Sequence, residues 1–246
     1  MVAPRRVGQC HFSLVVTADH RRRGNGAKLY KEAEAFAVGR QSHQLWTAYH
    51  ESTDNSAATF LKSRGFKPLE RNLPSTCDLL TFEPKDHLDA VKRVEGQGIE
   101  LTTYAQIGDS PNHTRYLFEL EESARSVQPF REVGPHILAS YEDWEKEFER
   151  RDQTAIFIAR NHEDRSFVGV VTGLEWYFTA TDRDWSGRGI ATALKVICMR
   201  EAKARGIETM DTENHEDNLG MLKINRRLGF FFGDPEVACI KPLRIG

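Results

Sequence analysis

Arg21-Arg22-Arg23-Gly24-Asn25-Gly26-Ala27 and Ser186-Gly187-Arg188-Gly189-Ile190-Ala191-Thr192 are the two stretches on which the reading of this chain turns. Each joins a β-like run to a helical pattern. A second pair of words follows at nearly the same distance: Phe60-Leu61-Lys62-Ser63-Arg64-Gly65-Phe66 and Ile224-Asn225-Arg226-Arg227-Leu228-Gly229-Phe230. Gly24 and Gly189 are 165 positions apart, and Gly65 and Gly229 are 164 apart. Two motif pairs in one register mark an internal repeat.

Each copy reads outward from its loop in the same order. Before the loop stand Phe12-Ser13-Leu14-Val15-Val16 and Trp176-Tyr177-Phe178-Thr179-Ala180, rich in the aromatic and β-branched residues that favour strands. After it, Leu29, Ala33, Phe36 and Ala37 share one helix face, and Leu194, Ile197 and Cys198 share another. Short strands follow at Gln44–Ala48 and Ile207–Met210, then helices ended by Gly65 and Gly229. The unit β–loop–α–β–α implies an α/β protein with a mixed sheet.

Between the copies, Leu79-Leu80-Thr81-Phe82 reads as a strand and Lys85 to Val94 as a helix. Gly96-Gln97-Gly98 punctuates the chain, and Ile99–Thr103 alternates like the first strand of a new domain. The predicted domains are therefore 1–97 and 98–246. Helices are expected over His113–Ser126 and Tyr141–Arg150, with strands at Ala155–Ala159 and Phe167–Val171.

Composition narrows the class. The 246 residues are 39% hydrophobic and 28% charged with a net charge of −2, which gives no argument for binding nucleic acid or an acidic membrane. No apolar run reaches the ~18 residues of a membrane span. Arg5 and Arg6 lead into polar residues, so a cytoplasmic protein is expected. Cys10, Cys77, Cys198 and Cys239 are scattered and read as reduced thiols, with no metal site implied.

A strand, a glycine-rich turn and a helix N-terminus form a site for an anion. Backbone N–H groups are unpaired there, and glycine allows close approach. Arg23-Gly24-Asn25-Gly26-Ala27-Lys28 does not fit the P-loop spacing, and Leu29 stands where the dinucleotide fingerprint needs its third glycine. A solvated glycine turn beside a basic cluster remains the plain alternative.

Arg21-x-x-Gly24-x-Gly26 resembles the R/Q-x-x-G-x-G/A signature of the Gcn5-related N-acetyltransferase (GNAT) superfamily, and Gly187 to Ala191 resembles it again. The whole is similar to bacterial tandem acetyltransferases. The resemblance implies two tandem GNAT-like acyl-CoA transferase domains, with acetyl-CoA as co-substrate and direct transfer to an amine-bearing acceptor. Two complete domains of about 150 residues each would exceed this chain. The first copy, which opens almost at the strand before its loop, is therefore expected to be N-terminally truncated. Neither nucleic acid nor a membrane is an expected partner; a homodimer is left open.

The resemblance assigns the pyrophosphate to Arg21, Arg23, Gly24 and Gly26 in the first copy, and to Arg188, Gly189, Ile190, Ala191 and Thr192 in the second. The backbone of Val15 and Val16, or of Ala180 and Thr181, would run beside the pantetheine arm. Ser186 departs from the signature. In the downstream helix Asn218 and Asn225 take the family's Asn and Tyr places; Asp54 and Leu61 take them in the first copy. Asn225 can donate a hydrogen bond but cannot act as an acid, and Asn218 doubles as a plain helix cap. Glu175 is the leading general base for the amine, with Glu213 and His215 as others. Trp176 and Tyr177 either line the acceptor site or pack. Glu119, Glu121 and Glu122 either attract a cationic acceptor or form a solvated helix face. The rival to an enzyme is a non-catalytic acyl-CoA-binding or structural double module.

Overall fold

The computed structural model describes residues 8–52, 55–108, 110–126, 140–175 and 178–243. Asp54, Trp176 and Tyr177, and with them the short 171–179 connection, lie wholly or partly outside the described residues. The chain divides into two compact units. One holds the described residues up to Leu73 and from Asp234 onward; the other holds those from Pro74 to Gly233. The two units follow the contacts within the folded chain, whereas the expected division at residue 97 follows the copies.

The first unit runs β1 (Gln9–His11), α1 (Asn25–Gly39), β2 (Gln44–His50), α2 (Asn55–Lys62) and the opening of β3 (Lys67–Asp78). Through β3, α3 (Leu88–Glu95), β4 (Ile99–Thr103), α4 (Tyr104–Ile107), α5 (Pro111–Ser126), α6 (Tyr141–Phe148), β5 (Ile156–Asn161), β6 (Phe167–Thr172), β7 (Phe178–Thr181), α7 (Ile190–Ala204), β8 (Thr209–His215), α8 (Leu219–Arg227) and β9 (Phe231–Phe232) the chain forms the second unit. Its last strand, β10 (Glu236–Pro242), returns to the first.

In the first unit β1 pairs parallel with β2, and β10 pairs antiparallel with β2 and with Lys67–Asn72 of β3. Tyr30, Ala37, Leu45, Leu61, Phe66, Val237 and Cys239 form its core. This corrects the expected face of α1. Leu29 and Phe36 are 49% and 58% exposed, while Tyr30 and Ala37 are buried. Tyr30 wins because its hydroxyl is satisfied: it donates to Glu34 at 2.7 Å and accepts from Lys241 of β10 at 2.8 Å. The expected strand Phe12–Val16 is also displaced. The ladder occupies Gln9–His11, Phe12 makes a last bond to Trp46 O, and Val15 stands exposed.

The expected strand Leu79–Phe82 is a turn held by Asp78, whose carboxylate accepts from Leu80 N and whose carbonyl accepts from Thr81. The strand is β3 just before it, hidden in the sequence by Pro68 and Pro74, residues that argue against a ladder. The remaining expectations from Ile99 to Val171 match β4, α5, α6, β5 and β6 to within a few residues.

In the second unit β4, β5, β6 and β7 form an antiparallel sheet in chain order. Successive side chains of a strand point to opposite faces, so β5 serves two cores. Phe157 and Ala159 pack with Ile190, Leu194 and Cys198 of α7; Ile156 and Ile158 pack with Leu117 and Leu120 of α5 and Trp144 and Phe148 of α6. Helix α7 is seated on β6 at Gly169. A Cβ there would stand 2.6 Å from Ile190 Cγ2 and 3.0 Å from Leu194 Cδ1. Gly169→Val is expected to lower stability by about 1–3 kcal/mol through overpacking, read as a fall in the urea midpoint at unchanged m-value.

Candidate active site

The site begins with two strands that part. β7 is hydrogen-bonded to β6 on one edge, and β8 belongs with the end of β3. Ser75 Oγ donates to Thr212 O, and Leu79 N donates to Glu208 O. Just before β7 and early in β8, one backbone bond joins the two, Asp211 N to Glu175 O at 2.9 Å. Beyond it no ladder forms between them among the described residues, so the free edge of β7 keeps its backbone donors and acceptors.

A cleft of about 1170 Å³ opens there. Thr179, Ala180 and Thr181 of β7 line one side, Trp185 to Thr192 the end, and Asn218 with Gly220, Met221, Lys223, Ile224 and Arg227 of α8 another. The hydroxyls of Thr179 and Thr181 are buried and make no hydrogen bond within the protein. At the end of the cleft, Asp182 to Ser186 form a short 3-10 turn that leads into α7. Gly187 and Gly189 adopt φ of +77° and +89°, the region glycine enters without strain, and Gly189 caps α7. A Cβ on Gly187 would meet nothing within 4 Å, and one on Gly189 only Val94 at 3.8 Å. The loop is thus open to a ligand, and the first N–H groups of α7 are available to an anion. Arg188 lies over the Trp185 ring at 4.4 Å.

Of the residues expected to bind a cofactor in the second copy, Ala180, Thr181, Arg188, Gly189, Ile190, Ala191, Thr192 and Asn218 all line this one cleft. Asn218 also caps α8, accepting from Met221 N. The first-copy loop has the matching backbone, with Gly24 at φ +81° capping α1. Its surroundings differ: the exposed Arg21 donates from Nε to Val16 O, and a Cβ on Gly26 would meet the Phe60 ring at 3.3 Å. Val15 and Arg23 are exposed.

The two expected catalytic residues stand elsewhere. Glu175 is exposed and lines a separate small depression with Gly206, Ile207, Glu208, Thr209 and Asp211. Asn225 is fully buried and does not line the cleft; it accepts from Lys195 Nζ and donates to Asn214 Oδ1 at 2.8 Å. Among the other base candidates, Glu213 is exposed on β8. The buried His215 accepts from Asp217 N at Nδ1, which leaves the proton on Nε2. The acidic run of α5 is consumed internally. Glu121 is fully buried against Arg125, Arg151 and the Trp144 indole, Glu122 takes Arg125, and Glu119 takes Arg115.

Sequence reasoning misses the wall made by Asp86, His87, Asp89, Ala90 and Arg93. These residues precede the expected boundary and so count with the first copy. Their only signal is the amphipathic spacing of α3, whose Val91 and Val94 are buried in the core they share with α7.

The profile of the Acetyltransferase (GNAT) family matches residues 5–66 and 116–230. The chain belongs to this family. It is 24% identical over 249 aligned positions to a mycothiol acetyltransferase of Saccharomonospora viridis, covering 88% of this chain and 69% of that protein. A GCN5-related N-acetyltransferase from Sphaerobacter thermophilus superposes with a TM-score of 0.79 at 22% identity, covering 99% of this chain and 76% of that one. A tandem GNAT protein from the clavulanic acid biosynthesis pathway superposes at 0.72 and 21%, covering 96% and 75%. The tandem GNAT fold expected from the repeat is thereby shown.

Burial brings the Lys195 ammonium down to about 7. In the unfolded chain it titrates near its ordinary 10.5, so the unfolded state binds more protons above pH 7. This contribution to stability therefore rises with pH from about 7 and is flat below. Lys195→Met is expected to remove that rise, measured as urea midpoints of both proteins between about pH 7 and 8.5.

Proposed function

We propose that the second unit transfers an acetyl group from acetyl-CoA to an amine by direct attack on the thioester. The observation that carries this reading is the parting of β7 and β8 at a glycine-capped helix N-terminus, beside a cleft lined by β7, whose two buried threonine hydroxyls have no partner within the protein. When bound, the cofactor supplies an activated acyl group on a thioester. The N–H groups of Gly189 to Thr192 would hold its diphosphate, and the free edge of β7 would run along its pantetheine arm. The N–H groups on the free edge of β7 would be available to stabilise an oxyanion, and holding both reactants in one cleft would lower the entropic part of the barrier.

In this reading Asn225 props the cleft from beneath through Lys195, both of its polar ends being engaged. Glu175 lines a separate depression, so as base it would take the acceptor's proton from the cleft through water. The first unit would be catalytically idle, since Leu61 is buried and apolar and Arg64 is stacked on Phe60 at 3.4 Å. The match to a mycothiol acetyltransferase favours a small soluble acceptor. The second reading, an acyl-CoA-binding module without turnover, is favoured by the lack of an acidic side chain at position 225.

Calorimetry with acetyl-CoA is expected to show binding near the micromolar level, and thiol release with a panel of amines is expected to show turnover. Gly189→Glu should lose binding while retaining its circular dichroism. No heat with acetyl-CoA would refute both readings; binding without thiol release would favour the second.

A further inference from the structure

We infer that the α3 wall makes the cleft selective for coenzymes bearing a 3′-phosphate, through Arg93 acting with Arg188. The inference rests on the acetyl-CoA reading above and concerns the nucleotide end of that ligand, remote from the acyl group.

Three observations converge. First, α3 is fastened to the phosphate loop. Gln97 Nε2 donates both to Arg93 O at 3.0 Å and to Arg188 O at 3.2 Å, so one side-chain amide ties the two arginines back to back. Val94 faces Gly189 across 3.8 Å to its ideal Cβ position. Second, both arginines line the cleft and neither forms an ion pair among the described residues. The contrast lies within the same unit. Arg115, Arg125, Arg150, Arg151, Arg160, Arg165 and Arg205 each hold a carboxylate. Arg188 is steadied by the Trp185 ring instead, which leaves its charge for a ligand.

Third, the acetyl-CoA reading gives the ligand a direction. An acyl arm that runs along β7 from the loop past Thr181 and Thr179 leaves the nucleotide on the far side of the loop, where Arg188 and α3 stand. Asp86 and Asp89 share the α3 wall. They oppose a second anion there, so the wall suits one phosphate between two guanidinium forks and leaves the diphosphate to the helix N-terminus. Lys223 and Arg227 belong to the opposite wall, on α8, and serve as the internal control.

The test compares coenzyme A with dephospho-coenzyme A, which lacks only the 3′-phosphate, by titration calorimetry on the full chain. The wild-type protein is expected to bind coenzyme A about tenfold more tightly, the scale of one charge-assisted contact. Arg93→Gln should weaken coenzyme A by about that factor and leave dephospho-coenzyme A unchanged; Lys223→Gln should keep the preference. Equal wild-type binding of the two ligands, a preference surviving in Arg93→Gln, or one abolished by Lys223→Gln overturns the inference and leaves the acetyl-CoA reading standing. Binding of neither ligand by the wild-type protein removes both.

Discussion

Among the described residues a single backbone bond, Asp211 N to Glu175 O, is where the chain before β7 meets β8 before the two diverge. A continuous ladder would consume the inner edge of β7 and close the gap beside α7. Because the pairing stops there, that edge keeps its hydrogen-bonding groups and the cleft opens at the helix N-terminus. An extended ligand can then complete β7 with main-chain bonds while its anionic end meets the glycine loop. The open edge is a liability in most sheets; here Thr179, Ala180 and Thr181 line a cleft, so it is shielded from other chains.

The helix that supplies the anion site is fixed from several sides. Gly169 lets α7 lie close on β6, and α3 covers the loop end through Val94 and Gln97. Along its length α7 buries Ala193, Leu194, Val196, Met199 and Ala202, which leaves it little freedom to rotate. Rigid packing of this kind transmits position: the φ values of Gly187 and Gly189 can only serve a ligand if the helix after them does not move. The buried Lys195–Asn225–Asn214 chain of hydrogen bonds extends the fastening from α7 to α8 and β8.

The repeat makes the two copies each other's control. Its register sets Leu29 against Leu194, Tyr30 against Lys195 and Leu61 against Asn225. Leu194 is buried because β6 lies on it; the first unit has no counterpart of β5 and β6 among its described residues, and Leu29 is exposed. The inward face of α1 therefore belongs to Tyr30 and Ala37. Where the second copy buries an amine against an amide, the first buries a tyrosine whose hydroxyl is met by Glu34 and Lys241. The same loop backbone is thus retained in two different surroundings.

The local chemistry of the chain is legible in its sequence: the two glycine loops, the helices behind them, the strands β4 to β6 and the tandem α/β plan. These depend on residues near one another along the chain, where positive φ, capping and hydrophobic period act directly. The rest depends on partners far away. Both stripes of α1 have helical spacing, and only β2 and β10 choose between them. Strand β3 reads as broken by its prolines, and α3 reads as part of the first copy, because neither carries a local sign of the surface that will cover it. Asn225 and Glu175 occupy promising places in the motif, yet burial turns one toward Lys195 and the bend before β7 leaves the other at a separate depression. Spacing along a chain says which residues share a face; only the neighbours that arrive on folding decide whether that face is core, cleft or solvent.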